Sequence, residues 1–106
     1  MYPIGVVKWS YWAIIEVMST DKTTVLRSLQ VIPGVGESIA LDIYNLGYRS
    51  VNELGDADPE DMYEQSCLLA GTRIDRCLLY VYRCAVYYAK TEKPDNNKLK
   101  WWIWKD

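Results

Sequence analysis

Leu29-Gln30-Val31-Ile32-Pro33-Gly34-Val35-Gly36-Glu37-Ser38-Ile39-Ala40-Leu41-Asp42-Ile43 is the stretch that decides how this chain is read. Pro33 has no amide proton and clashes with the turn before it, so the helix marked by Val25, Leu26 and Leu29 must stop there. Beyond the turn, an apolar period near 3.6 returns at Ile39, Ala40, Ile43 and Leu46. The segment reads as helix, tight turn, helix. Its glycines permit turn dihedrals and close backbone approach, Ile32 and Val35 plug the space between the helices, and Ala40 lets them pack closely.

Working outward, Thr20 or Asp21 is expected to cap the first of these helices. Pro3 and Gly5 break the start of the chain, and a short helix is expected over roughly Trp9 to Val17. Gly47 closes the helix after the turn, and Ser50 offers a cap for a short turn over Val51 to Leu54. Asp58-Pro59-Glu60-Asp61 combines a capping carboxylate, proline at the first helical position and acids at the positive dipole end. That helix should run to about Leu69. Gly71 ends it, and Thr72 is expected to cap the next, with Asp75 at the capping-box spacing. The longest element predicted is Arg73 to about Lys90, burying Ile74, Leu78, Val81, Ala85 and Tyr88 with Cys77 and Cys84 alongside. Pro94 to Asn97 form a break before the tryptophan-rich end. No strand pattern is expected.

A chain of 106 residues that is 50% hydrophobic builds one core, and 25% charged residues supply an ordinary solvated surface. The formal charge is −2, which argues against strong polyanion binding. The charge is unevenly placed. Residues 1–72 hold four basic and ten acidic side chains, and residues 73–106 hold eight and four, giving −6 and +4. A basic C-terminal third can direct a polyanion to one face. The chain has three cysteines, no CxxC pair and no histidine, which removes the usual zinc sets and the commonest general base. Cys77 and Cys84 fall about 10 Å apart along a helix, too far for a disulfide. No apolar run reaches the ~20 residues of a membrane span, and the start lacks a secretory pattern. The expected location is cytoplasmic.

The second glycine opens a helix, so the amides of Val35, Gly36 and their neighbours are expected to point outward at the positive dipole end, where a phosphate oxygen fits. The spacing of apolar residues, glycines and Ala40 resembles the helix-hairpin-helix motif. In that family the hairpin holds DNA without reading bases, in some members with a monovalent cation on hairpin carbonyls. The resemblance assigns phosphate contact to Gly34, Val35, Gly36 and Ser38, and no other cofactor. Glu37 departs from the DNA-binding pattern, since its carboxylate repels phosphate and could satisfy the same amides itself. A hairpin that only packs two helices is the alternative. Ala70-Gly71-Thr72-Arg73 reads as a second, degenerate hairpin without the second glycine. The expected fold class is all-α, a compact four- to five-helix domain with one clear and one degenerate helix-hairpin-helix in a SAM-like tandem arrangement.

Further motifs are Tyr48-Arg49-Ser50-Val51, Asp58-Pro59-Glu60, Ile74-Asp75-Arg76-Cys77-Leu78-Leu79-Tyr80-Val81, Arg83-Cys84-Ala85-Val86-Tyr87-Tyr88-Ala89 and Lys100-Trp101-Trp102-Ile103-Trp104-Lys105-Asp106. As a set they resemble the small bacterial pathogenicity-locus family over most of residues 25–106. Members of that family commonly begin shortly before the first hairpin helix. The resemblance therefore implies Met18 as a natural start, with residues 1–17 an extension and 18–106 the domain.

Arg76, Tyr80, Arg83, Tyr87 and Lys90 recur at spacings of four and three, forming one helix face. With Arg73, these cations suit phosphate and the tyrosines suit base stacking. The plainer alternative is a half-buried face whose arginines pair with Asp or Glu. At least two of Trp101, Trp102 and Trp104 are expected to fold back on the core, since exposed indoles are costly. The expected function is non-sequence-specific DNA binding without catalysis; the alternative is a protein-interaction module. No membrane partner or small-molecule substrate is expected. Asp56, Asp58, Glu60, Asp61 and Glu64 are the only acids that an enzyme could draw on, and helix capping accounts for most of them.

Overall fold

Pro33 does end the first helix, although the chain leaves helical geometry before reaching it. The computed structural model describes residues 14–106 and the side chains of residues 22–106. Four α-helices succeed one another among the described residues: α1 (Ile14–Leu29), α2 (Glu37–Asn45), α3 (Pro59–Ala70) and α4 (Cys77–Lys90). Short 3-10 turns lie at Asn52–Asp56, Asn96–Lys98 and Trp101–Trp104, and no strand occurs among the described residues. The all-helical expectation holds. The short helix expected from Trp9 lies mostly outside the described residues. From Ile14 the backbone belongs to α1, so Thr20 and Asp21 do not start a helix. Neither Gly nor Pro stands between Ile14 and Leu29, and a capping preference alone does not interrupt a helix.

Local chemistry sets the other ends. Gly47 takes a φ of 106° after α2, and the Tyr48 amide reaches back to the Ile43 carbonyl at 3.4 Å. Arg49 stacks on the Tyr44 ring at 3.7 Å and donates to the Tyr44 carbonyl at 2.7 Å, placing a cation on the negative helix end. The next turn is capped from an unexpected side: Ser50 makes no cap, and Glu53 Oε1 accepts the Arg49 amide at 3.0 Å. Asp58 caps α3 as expected, accepting the Glu60 amide at 3.0 Å.

The expected start of α4 at Arg73 is corrected to Cys77. Thr72 belongs to the end of α3, where its amide donates to the Cys67 carbonyl at 3.2 Å behind a left-handed Gly71. Residues 71–76 are then held off the helix by side chains. The Tyr63 hydroxyl donates to the Ile74 carbonyl, Cys67 Sγ accepts the Ile74 amide at 3.4 Å, and Asp75 accepts the Cys77 amide at 2.9 Å. These bonds outcompete one more helical turn.

α4 is the central element. It packs against α3, the Asn52–Asp56 turn and the C-terminal tail, while α1 packs on α2. Leu78, Leu79, Val81, Tyr82, Cys84, Ala85 and Val86 are all buried, more than one face of a surface helix allows. Cys77 is exposed, contrary to its expected place on the buried side, because the helix only begins there. Leu29, Ile32, Val35, Ala40 and Ile43 join the same core from the α1–α2 unit. One polar pair lies inside: the Ser66 and Tyr82 hydroxyls meet at 2.8 Å, and burial pushes the Tyr82 phenol well above its usual range.

The tail returns to this core. Asp95 caps the Asn96–Lys98 turn, the Tyr87 hydroxyl accepts the Asp95 amide at 2.9 Å, and Trp104 Nε1 donates to the Lys98 carbonyl at 2.8 Å. Trp101 and Trp104 are partly buried and Trp102 is half exposed, as expected for two of the three. An ion-pair clamp holds the last residues. Arg83, only 19% exposed, donates to Glu60 at 2.9 Å, to the Trp104 carbonyl at 2.7 Å, and lies 2.8 Å from Asp106. Arg76 joins from the preceding turns of the same face, its Nε donating to Asp106 at 2.9 Å.

Gly34 fixes the α1–α2 turn. Its φ is 88°, and a Cβ there would meet Trp101 Cδ1 at 3.2 Å. Gly34→Ala is expected to cost about 1–2 kcal/mol from left-handed strain, with the indole contact adding to it. Chemical denaturation of both proteins checks this. Hydrogen bonds from Arg76 and Arg83 hold the Asp106 carboxyl below the ordinary aspartate range. The clamp therefore stabilises the tail above about pH 4 and is lost as pH falls through the lowered value. A tryptophan emission change in that acid window, absent from Asp106→Asn, is the expected outcome.

Candidate functional site

The turn between α1 and α2 is built from two glycines with different jobs. Gly34 supplies the left-handed step, after which the Val35 amide closes on the Ile32 carbonyl at 3.0 Å and the Val35 side chain enters the core. The Val35 amide is thus spent inside the turn rather than offered outward. Gly36 precedes α2 with φ −93° and ψ −168°, an extended conformation open to any residue. A Cβ on Gly36 would have no neighbour within 4 Å. Nothing within the described chain demands glycine at this position.

From Gly36 onward the main chain presents a row of donors with no partner among the described residues. The first amide that bonds within α2 is Ala40, to the Gly36 carbonyl at 2.9 Å. Among the described residues the amides of Gly36, Glu37, Ser38 and Ile39 have no acceptor, and no side chain caps this end. Glu37 and Ser38 are exposed. Glu37 does not fold over the amides; it lines a shallow cleft of about 190 Å³ beside Arg27 and Gln30. The helix dipole adds a partial positive charge of roughly half a unit at the same place. Among the described residues, no side chain lies within 4 Å of where a Gly36 Cβ would stand.

The basic residues picked out in the sequence have other partners. Arg73 pairs with Glu64 at 3.0 Å. Arg76 and Arg83 converge on Asp106, with Glu60 on the far side of Arg83. Lys90 is exposed and makes no ion pair among the described residues. None of these four side chains bonds to the turn, so the structure gathers Gly34, Gly36 and Ser38 in one place and the four cations elsewhere. The arginines pair with acids, as the plainer alternative has it, but sequence reasoning did not identify those acids as Glu60, Glu64 and Asp106, nor find Trp101, which lies on Gly34. The spacing of Arg76 and Arg83, two turns apart with an acid at the chain's end, was the available signal.

Three of the five acids considered for catalysis have structural tasks, with Asp58 capping α3, Glu60 on Arg83 and Glu64 on Arg73. Among the described residues no group of three His, Cys, Asp or Glu side chains could hold a metal ion. No helix there is long and apolar enough to cross a membrane. Cys67, Cys77 and Cys84 are free thiols.

The family described as Cdd1, pathogenicity locus, matches residues 22–106, which take in all of the turn, α2, α3, α4 and the tail. The chain is also similar to a protein of Streptomyces lavendulae named mitomycin resistance protein McrB, 34% identical over 62 residues. That alignment covers 58% of this chain and 59% of the relative, so the chain spans under two thirds of the relative's length. No solved structure matches the chain significantly. With a family match over so much of its length, the chain belongs to the pathogenicity-locus family.

Proposed function

We propose that this protein binds DNA through its backbone, without reading sequence, and that the α1–turn–α2 unit acts as a helix-hairpin-helix. The observation that carries this reading is the row of unpaired amides from Gly36 to Ile39, beside a glycine that the described chain does not require. Main-chain donors at a helix start are a ready anion site, and glycine lets a phosphate oxygen approach closely. Because such contacts fall on phosphate, they position a strand and carry no base information. The position of Glu37 supports the same reading, since its side chain lines the cleft with Arg27 and Gln30 and makes no cap on the α2 amides. No chemistry on the nucleic acid is proposed.

A second reading, a protein-interaction module, is favoured by one observation. Leu68 and Leu69 at the end of α3 are 72% and 66% exposed, adjacent and unpartnered among the described residues. DNA affinity lost on replacing both with serine would join the two readings at one surface, and unchanged affinity would separate them.

The decisive variant is Gly36→Asp, because aspartate is a favoured cap whose carboxylate accepts the same amides that a phosphate would use. Its helicity and stability are expected to match or slightly exceed the parent. Affinity for a duplex at low salt should fall about tenfold or more, from a parent whose binding weakens steeply with salt. Unchanged affinity in a folded Gly36→Asp protein would remove this reading.

A further inference from the structure

A groove of about 590 Å³ lies between the start of α3, the last turns of α4 and the tail. That volume falls in the range of roughly 300–1,000 Å³ typical of ligand sites. Its lining is mixed in a particular way. Ala57, Pro59, Val86 and Ile103 supply apolar surface, and the rings of Tyr87 and Trp104, 5.5 Å apart and tilted by 40°, form an aromatic wall. Lys90 and Lys105 stand at its edge and make no ion pair among the described residues. Arg83 and Glu60 also line it, but the Glu60 carboxylate is paired with Arg83, whose charge Asp106 also answers.

The aromatic wall is fixed in advance. The Tyr87 hydroxyl is held by the Asp95 amide and Trp104 Nε1 by the Lys98 carbonyl, so neither ring needs ordering when a ligand arrives. Trp104 is left with its π surface to offer, and Tyr87 with its hydroxyl proton and a ring that already has Lys98 Nζ 5.7 Å from its centroid. The site therefore selects a planar group for stacking and a nearby negative charge for the two lysines. Free phosphate would leave the apolar lining uncovered, and an acidic peptide would leave the rings without a planar partner. A base with its attached phosphate satisfies both requirements.

We propose that this groove takes one unstacked nucleotide of a single-stranded nucleic acid, the base against Tyr87 and Trp104 and the phosphate at Lys90 and Lys105. Stacking without base-edge hydrogen bonds makes the contact tolerant of sequence. The groove also adjoins the turn through the Trp101–Trp104 segment, since Trp101 touches Gly34 while Trp104 lines the groove. They stand three positions apart on one 3-10 turn, roughly 6 Å along its axis. The proposal rests on the DNA-binding reading only in preferring a polynucleotide to a free nucleotide.

The test compares a short fluorescein-labelled oligothymidine with a blunt duplex at low salt, for the parent, Gly36→Asp, and the Lys90→Glu, Lys105→Glu double variant. The parent is expected to bind oligothymidine with quenching of its tryptophan emission. The double charge reversal should weaken that affinity about tenfold or more, and more than Gly36→Asp does, whereas duplex affinity should fall further in Gly36→Asp than in the lysine variant. Lys90→Gln with Lys105→Gln, gentler on the α4 terminus, should weaken it in the same direction. The groove is not a nucleotide site if the parent ignores oligothymidine, if both lysine variants bind it normally, or if oligoglutamate binds as well and competes. A parent that binds duplex but not oligothymidine removes this proposal alone. One that binds oligothymidine but not duplex removes the hairpin reading alone.

Discussion

Trp101 lies on the one residue of the α1–α2 turn whose backbone is left-handed, and much of the molecule depends on that contact. Gly34 can turn there because it has no Cβ, and the indole occupies the space that a Cβ would need. The turn aims α2 back across α1 and directs Ile32 and Val35 into the core. It also leaves the first amides of α2 without an acceptor among the described residues. Trp101 is in turn held by the tail, which Arg76 and Arg83 tie to α4 through Asp106. A geometry set by one glycine is thus secured from the opposite end of the chain.

The uneven charge of the sequence takes on a different meaning in this light. Of the eight basic residues after position 72, three arginines are engaged with carboxylates. They serve the fold before they serve a ligand. Lys90 and Lys105 are the cations that line the groove beside Tyr87 and Trp104 without an ion pair of their own among the described residues. On the proposed reading, a polyanion would meet the amides at the turn and the ammonium groups along the groove, contacts that fall on phosphate and not on bases.

The helices were legible in the sequence where the backbone itself dictates an end. Pro33 stopped α1, Pro59 behind Asp58 began α3, and Gly47 and Gly71 closed α2 and α3. Expectations resting on capping preference alone were overridden. Thr20 and Asp21 lie within α1, and Thr72 closes α3 instead of opening α4. The start of α4 was set by contacts far away in sequence, chiefly Tyr63 and Cys67 with Ile74, which no local pattern announces. At the site, the paired glycines were visible but not their division of labour. Gly34 is demanded by the fold and Gly36 is not, a distinction that needs φ and the position of Trp101.

The central claim is that the amides opening α2 receive phosphate, and backbone amide NMR observes them directly. On titrating a short duplex into the ¹⁵N-labelled protein, the largest shifts should fall on Gly36, Glu37, Ser38 and Ile39 and fade as salt is added. Shifts confined to other surfaces, such as Leu68 and Leu69, with these four amides unmoved at saturation, would contradict the account.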